Sequence, residues 1–136
     1  MGKIIVVVDG QGGRLGSLIV QKCKPSLPAG VEIVALGTNA LATAQMMKAG
    51  ADRGASGENA IIHTVASAHV ILGSLSIVMP NSMLGELTAK MAGAIVSSPA
   101  VKLLLPVNNE GIRVMGVRRG PLSRLLEDLC QEPVLM

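Results

Sequence analysis

Residues able to do chemistry gather in three short stretches of this chain, and the first is "VVVDGQGGRLG", residues 6–16. A glycine-rich turn between a buried strand and a helix aims unpaired backbone N–H groups, and the positive end of the helix dipole, at the space beyond the strand. Such a turn suits a phosphate. Gly10, Gly13 and Gly16 give the spacing G-x-x-G-x-x-G, while Gly10 and Gly12 begin the stricter G-x-G-x-x-G, whose last position is Leu15. Gly10, Gln11, Gly12, Gly13, Arg14 and Leu15 are therefore the candidate cofactor-binding residues of this turn. Gly12 and Gly13 admit close backbone approach, and Gly16 lets the helix pack tightly on the strand. The competing reading is a purely structural turn. Asp9, directly before the glycines, is a candidate catalytic residue as metal ligand, general base or hydroxyl acceptor, or else a turn residue capping local N–H groups.

The second stretch is Gly37, Thr38 and Asn39, at the end of the second predicted strand. A dinucleotide fold usually offers the ribose an acid there. No carboxylate stands at this position, so a 2′-phosphate is less repelled, yet no arginine stands beside it to attract one, and the reading leans only slightly toward NADP over NAD. Thr38 and Asn39 suit a ribose or phosphate, and helix capping explains them equally well. The third is "LGSLSIVMPNSMLGELTAKM", residues 72–91. Gly73 and Ser74, with Ser76, follow a strand. Asn81, Ser82 and Glu86 gather near a helix start, bringing donors toward the same sheet edge as the glycine turn. Glu86 is the second candidate catalytic residue, for acid/base work; the alternative is a helix cap with a favourable first-turn charge. His63 and His69 lie within or beside apolar segments and read as packed residues. No serine nucleophile elbow, metal set or Cys/His couple is visible.

The elements that must position these residues alternate strand and helix. Lys3 to Val8 and Val31 to Leu36 are continuous β-branched or aliphatic runs, suited to strands buried on both faces of a parallel sheet. A helix with Leu15, Leu18, Ile19 and Cys23 on one face ends at Pro25, and another runs through "ALATAQMMKAG" to Gly50. The stretch "ADRGASGENA" reads as a short strand or loop leading into a helix near Asn59 to Ser67. Further strands are predicted from His69 to Leu72, Val101 to Val107 and Ile112 to Val117. Further helices are predicted from about Ser82 to Val96, with Leu84, Leu87, Met91 and Ile95 inward, and from Pro121 through Leu122, Leu125, Leu126 and Leu129. The pattern predicts one α/β domain over residues 1–136, a Rossmann-like three-layer sandwich with a mostly parallel central sheet.

Composition bounds the rest. At 136 residues the chain is too short for a two-lobed dehydrogenase, and with 49% hydrophobic against 15% charged residues it has apolar surface for a partner to cover, so a homo-oligomer is expected. The chain has no Phe, Tyr or Trp, hence no aromatic platform for single-stranded nucleic acid, and a net charge of +3 is too weak to carry such binding through phosphates. Its basic side lies late, in Arg113, Arg118, Arg119 and Arg124. Cys23 and Cys130 lack metal-type spacing and read as structural thiols. No leader and no apolar run of membrane-spanning length is seen, so the expected location is cytoplasmic, with no membrane partner.

The stretches "VVVDGQGGRLG", "EIVALGTNALATAQMMKAGADRGASGENAI", "NSMLGELTAKMAGAIVSSPAVKLLLPVN" and "VMGV" resemble a family of small bacterial proteins catalogued as a domain of unknown function. The resemblance covers about residues 3–117 and implies that Asp9 to Gly13, Gly37 to Asn39, Gly57 to Asn59 and Asn81 to Glu86 matter. Residues 72–108 are also similar to a segment of phospholactate transferases and gluconeogenesis-factor proteins that helps form a nucleotide-type pocket. Gly73, Ser74, Leu75, Pro80, Asn81 and Asn108 are the matching positions; Met83 and Glu86 depart from that more apolar pattern. Together the residues and the resemblance lead us to expect a nucleotide-type cofactor or phosphorylated ligand, NAD(P) or a nucleotide sugar, at the glycine turn. The alternative is a regulatory or scaffolding module acting through oligomerisation or a protein partner.

Overall fold

The computed structural model describes residues 2–107, 111–117 and 120–136. Among the described residues five strands form the sheet: β1 (Ile4–Asp9), β2 (Glu32–Gly37), β3 (Arg53–Ser56), β4 (Val70–Ser74) and β5 (Val101–Leu105). All pairings are parallel, in the order β3-β2-β1-β4-β5. The chain therefore builds outward from β1 in one direction and then crosses to its other side, which opens a crevice beyond the carboxyl ends of β1 and β4.

The aliphatic runs of β1 and β2 alternate between two cores. Ile5, Val7, Ile33, Ala35, Val70 and Leu72 face one core with α1 (Arg14–Cys23), α2 (Ala40–Lys48) and α5 (Leu122–Cys130). Val6, Val8, Val34, Leu36 and Ile71 face the other with α3 (Glu58–Val65) and α4 (Ala89–Ser97). Both faces being covered explains why these strands are continuously apolar rather than alternating. The arrangement is the predicted three-layer Rossmann-like sandwich, and its described strands are wholly parallel.

Three expectations are corrected. The helix expected from Ser82 begins only at Ala89, capped by the Thr88 side chain, which accepts from the Met91 amide at 3.1 Å. Asn81, Met83, Leu84 and Gly85 have φ of 66°, 57°, 56° and 89°, and left-handed residues cannot continue a right-handed helix. Leu84 consequently points outward, 95% exposed, while Leu87, Met91 and Ile95 are buried as expected. Ile112 to Val117 forms no strand: Gly111 and Gly116 turn the chain at positive φ and the apolar side chains between them stand exposed. Cys23 and Cys130 are not separate thiols but a disulfide, made possible because α1 and α5 lie on the same face and their last residues meet, Cα to Cα 5.2 Å. Asn108, Arg118 and Arg119 lie outside the described residues. Among those described, no helix is long and apolar enough to cross a membrane.

Candidate functional site

The glycine turn joins β1 to α1 where β1 and β2 end level, Asp9 paired with Gly37. Gly13 is the N-cap of α1 at φ 71°, a conformation that favours glycine. Its own N–H closes the turn onto the Gly10 carbonyl at 2.9 Å.

Two carboxylates accept from three further amides, those of Gly10, Gln11 and Gly16. Asp9, buried, accepts from the Gly10 N–H on Oδ1 at 2.8 Å and from the Gly16 N–H on Oδ2 at 2.6 Å. Glu86 reaches across from the loop before α4, and its Oε1 accepts from the Gln11 N–H at 2.7 Å, the Thr38 hydroxyl at 2.6 Å and the Asn39 amide Nδ2 at 2.9 Å. Among the described residues the N–H groups of Gly12, Arg14 and Leu15 take no partner. A Cβ placed on Gly12 would meet nothing within 4 Å. One on Gly10 would lie 2.6 Å from both Met83 Sδ and Thr38 Oγ1. The turn is thus roofed over Gly10 and open at Gly12.

Asn39 holds the neighbouring loop in place. Its Oδ1 caps α2 by accepting from the Ala42 N–H at 2.9 Å, and Nδ2 donates to the Gln11 carbonyl at 3.0 Å as well as to Glu86. Asn39 rather than Thr38 is therefore the cap. Below it, Thr43 accepts from the Gly37 N–H and pairs with the Ser56 hydroxyl, tying the ends of β2 and β3 to α2.

Beside Asp9 a pocket of about 330 Å³ opens between the ends of β1 and β4, lined by Asp9, Gly10, Gln11, Ser74, Ser76, Met83 and Leu84. Its floor is polar, since Asp9, Ser74 and Ser76 are each buried. Asn81 does not join it and stands exposed; Ser82 is buried behind, donating to the Ser76 carbonyl at 2.7 Å. Gly73 packs too closely on Ile77 and the Val8 carbonyl to carry a side chain, and so acts through backbone fit. Met83 and Leu84 enter the lining through left-handed backbone at 57° and 56°, where helical spacing predicts Leu84 inward and says nothing of Met83. Neither histidine packs in the core: His63 is exposed, and His69, also exposed, accepts from the Ile4 N–H on Nδ1 at 2.9 Å. No three metal-ligating side chains gather among the described residues.

The two acids differ in charge state. Burial pushes the Asp9 carboxyl above its ordinary 3.8 against the pull of its two amide donors, and the Glu86 charge pushes the same way. The Thr38 hydroxyl, then the Gln11 amide, hold Glu86 below its ordinary 4.5 despite partial burial, with Asn39 helping. Glu86 is ionised at neutral pH, whereas Asp9 is the better holder of a proton. A raised folded pKa means that the folded chain binds the Asp9 proton more tightly than the unfolded chain does. That contribution is complete below the unfolded value and is lost as pH rises through the folded one. Asp9→Asn should therefore destabilise most below the ordinary carboxyl value of 3.8 and progressively less as pH rises above it, read as the difference in Tm between variant and wild type. A gap that widens with pH would show that burial does not dominate at Asp9.

A family model described as Domain of unknown function (DUF3842) matches residues 4–134. No curated protein and no solved structure matches the chain.

Proposed function

The chain belongs to that family over nearly its whole length, and from this premise we propose that it binds a nucleotide-type ligand, NAD(P) or a nucleotide sugar, across the carboxyl ends of β1 and β4. The observation that carries the reading is the polar pocket at the point where the strand order reverses, next to three unpartnered amides of the glycine turn. The Gly12, Arg14 and Leu15 amides would take a phosphate, with the Arg14 side chain, exposed at the first position of α1, free to swing toward it. Ser74 and Ser76 would line the remainder. At about 330 Å³ the pocket holds part of a dinucleotide, so a second subunit closing over the open side is the natural complement.

If the bound ligand reacts, Asp9 is the group to hold or move a proton, because burial raises its pKa. Glu86, held ionised by its three donors, is an acceptor rather than a proton donor. The second reading, a module without turnover, is favoured by one observation: Ile112, Val114, Met115 and Val117 form an exposed apolar segment suited to a protein partner or a second copy.

A thermal-shift series on nucleotide-stripped protein separates the two readings. Saturation at about 100 times the dissociation constant adds roughly 2.7 kcal/mol of stability, so NAD, NADP or UDP-glucose should raise Tm by several degrees. Gly12→Val should abolish that shift while leaving the Tm of the free protein nearly unchanged, since the added side chain points into open space. A shift that survives in Gly12→Val would remove the turn from the binding site. No shift with any nucleotide would favour the module.

A further inference from the structure

The end of β2 carries no acid in the sequence, yet one stands there in the fold. Glu86 Oε1 lies 2.6 Å from Thr38 Oγ1, the first residue after β2, although the two are 48 positions apart. We propose, resting on the nucleotide reading above, that Glu86 is the acceptor for the 2′- and 3′-hydroxyls of the ligand's ribose, delivered from the loop before α4, and that it excludes a ribose carrying a 2′-phosphate.

The hydrogen bonds around the end of β2 leave little else to do this. The Thr38 hydroxyl is engaged with Glu86. Asn39 uses its Oδ1 to cap α2 and its Nδ2 on Gln11 and Glu86. All three donors to Glu86 converge on Oε1, and among the described residues Oε2 takes none. One oxygen thus fixes the carboxylate and the other is left to accept. A diol presents two donors and a carboxylate oxygen two lone pairs, a charge-assisted match. A 2′-phosphate in the same place presents only acceptors and negative charge, against an ionised Glu86 with Asp9 close behind.

The competing role is that of an internal stand-in for the ligand's own phosphate, because Glu86 occupies the Gln11 amide, which an anion would also seek. A ligand would then have to expel it. The two roles predict opposite effects of one substitution. Glu86→Gln keeps a carbonyl oxygen for the Gln11 and Thr38 donors and removes the charge.

The test is calorimetric titration of wild type and Glu86→Gln with NAD, NADP and UDP-glucose. Wild type should bind NAD at least about tenfold more tightly than NADP, and Glu86→Gln should bring the two within about twofold, chiefly by weakening NAD. For a nucleotide sugar, replacing UDP-glucose by its 2′-deoxyribose counterpart should weaken wild-type binding by about fivefold or more and leave Glu86→Gln nearly indifferent. Equal binding of NAD and NADP, a preference for NADP, or tighter NAD binding by Glu86→Gln would overturn the proposal. The wild-type ratios need no variant and decide even if Glu86→Gln folds poorly. If none of these nucleotides binds wild type, the nucleotide reading falls and takes this proposal with it. If binding depends on Gly12 but discrimination at the ribose does not depend on Glu86, this proposal alone falls.

Discussion

Replacing both cysteines, Cys23→Ser with Cys130→Ala, is expected to lower the stability of the folded chain by about 3 to 5 kcal/mol, which for a domain of this size is roughly 10 to 20 °C in Tm. The bridge joins the last residue of α1 to the last residue of α5 and closes a loop with a sequence separation of 107. Long loops gain most from closure, because the unfolded chain loses most freedom. The last helix makes the effect larger than loop length alone suggests. Among the described residues no strand lies between β5 and α5, so α5 depends on Leu126, Leu129 and the disulfide against the first core.

Reductant added to wild type should reproduce the loss, which separates the bridge from the substitutions. A change within about 2 °C in both experiments would mean that the two sulfurs are not joined in solution. Ligand response is a second check: the glycine turn sits at the opposite end of α1 from Cys23, so the cysteine-free protein should retain whatever Tm shift a nucleotide gives wild type. A disulfide of this kind persists in oxidising surroundings, which pulls against the expected cytoplasmic location.

The bridge also shows where sequence ceases to be informative. β1 and β2 are legible because strands buried on both faces must be continuously apolar, and a run such as Ile4 to Val8 has few other uses. Asn39 as a cap is legible because capping needs only the residue and the amides that follow it. The Cys23–Cys130 pair is illegible because it depends on α5 returning to lie beside α1, which no local pattern states. Glu86 fails in the same way. Its type marks it as chemically able, but its contacts with Gln11, Thr38 and Asn39 exist only because the segment before α4 folds back over β1.

That fold-back is hidden from the sequence for a specific reason. Leu84, Leu87, Met91 and Ile95 have helical spacing, and the apolar period is intact. Helical spacing does not reveal that Met83 and Leu84 take left-handed backbone, a conformation that non-glycine residues hold only when their surroundings compel it. Here Ser82 donates to the Ser76 carbonyl, and the Asn81 N–H donates to the Leu87 carbonyl at 2.8 Å, closing the loop on itself and delivering Glu86 to the end of β2.

Gly13→Val should be the most damaging single change in the glycine turn, costing about 3 kcal/mol or more, whereas Gly12→Val one position earlier should cost little. The two differ in two independent ways. Gly13 holds φ 71°, where a β-branched residue is strongly disfavoured, while Gly12 is not among the positive-φ residues. A Cβ on Gly13 would also stand 2.7 Å from the Ala42 carbonyl oxygen and 2.8 Å from its Cα, backbone atoms that cannot swing aside as a side chain can. Relief would require α2 to move away from α1. The helices touch again at Gly16, where an added Cβ would lie 2.5 Å from Met46 Sδ, so separation would also loosen Met46, which is fully buried in the first core. The displacement would carry Asn39 with it, because Asn39 caps α2, and through Asn39 one of the three donors that fix Glu86. Loss of nucleotide response in Gly13→Val should therefore accompany a lower denaturation midpoint, and in Gly12→Val it should occur without one. An unfolding free energy for Gly13→Val within about 1 kcal/mol of wild type would mean that α2 is not seated against this turn and that Asn39 is not held in place to fix Glu86.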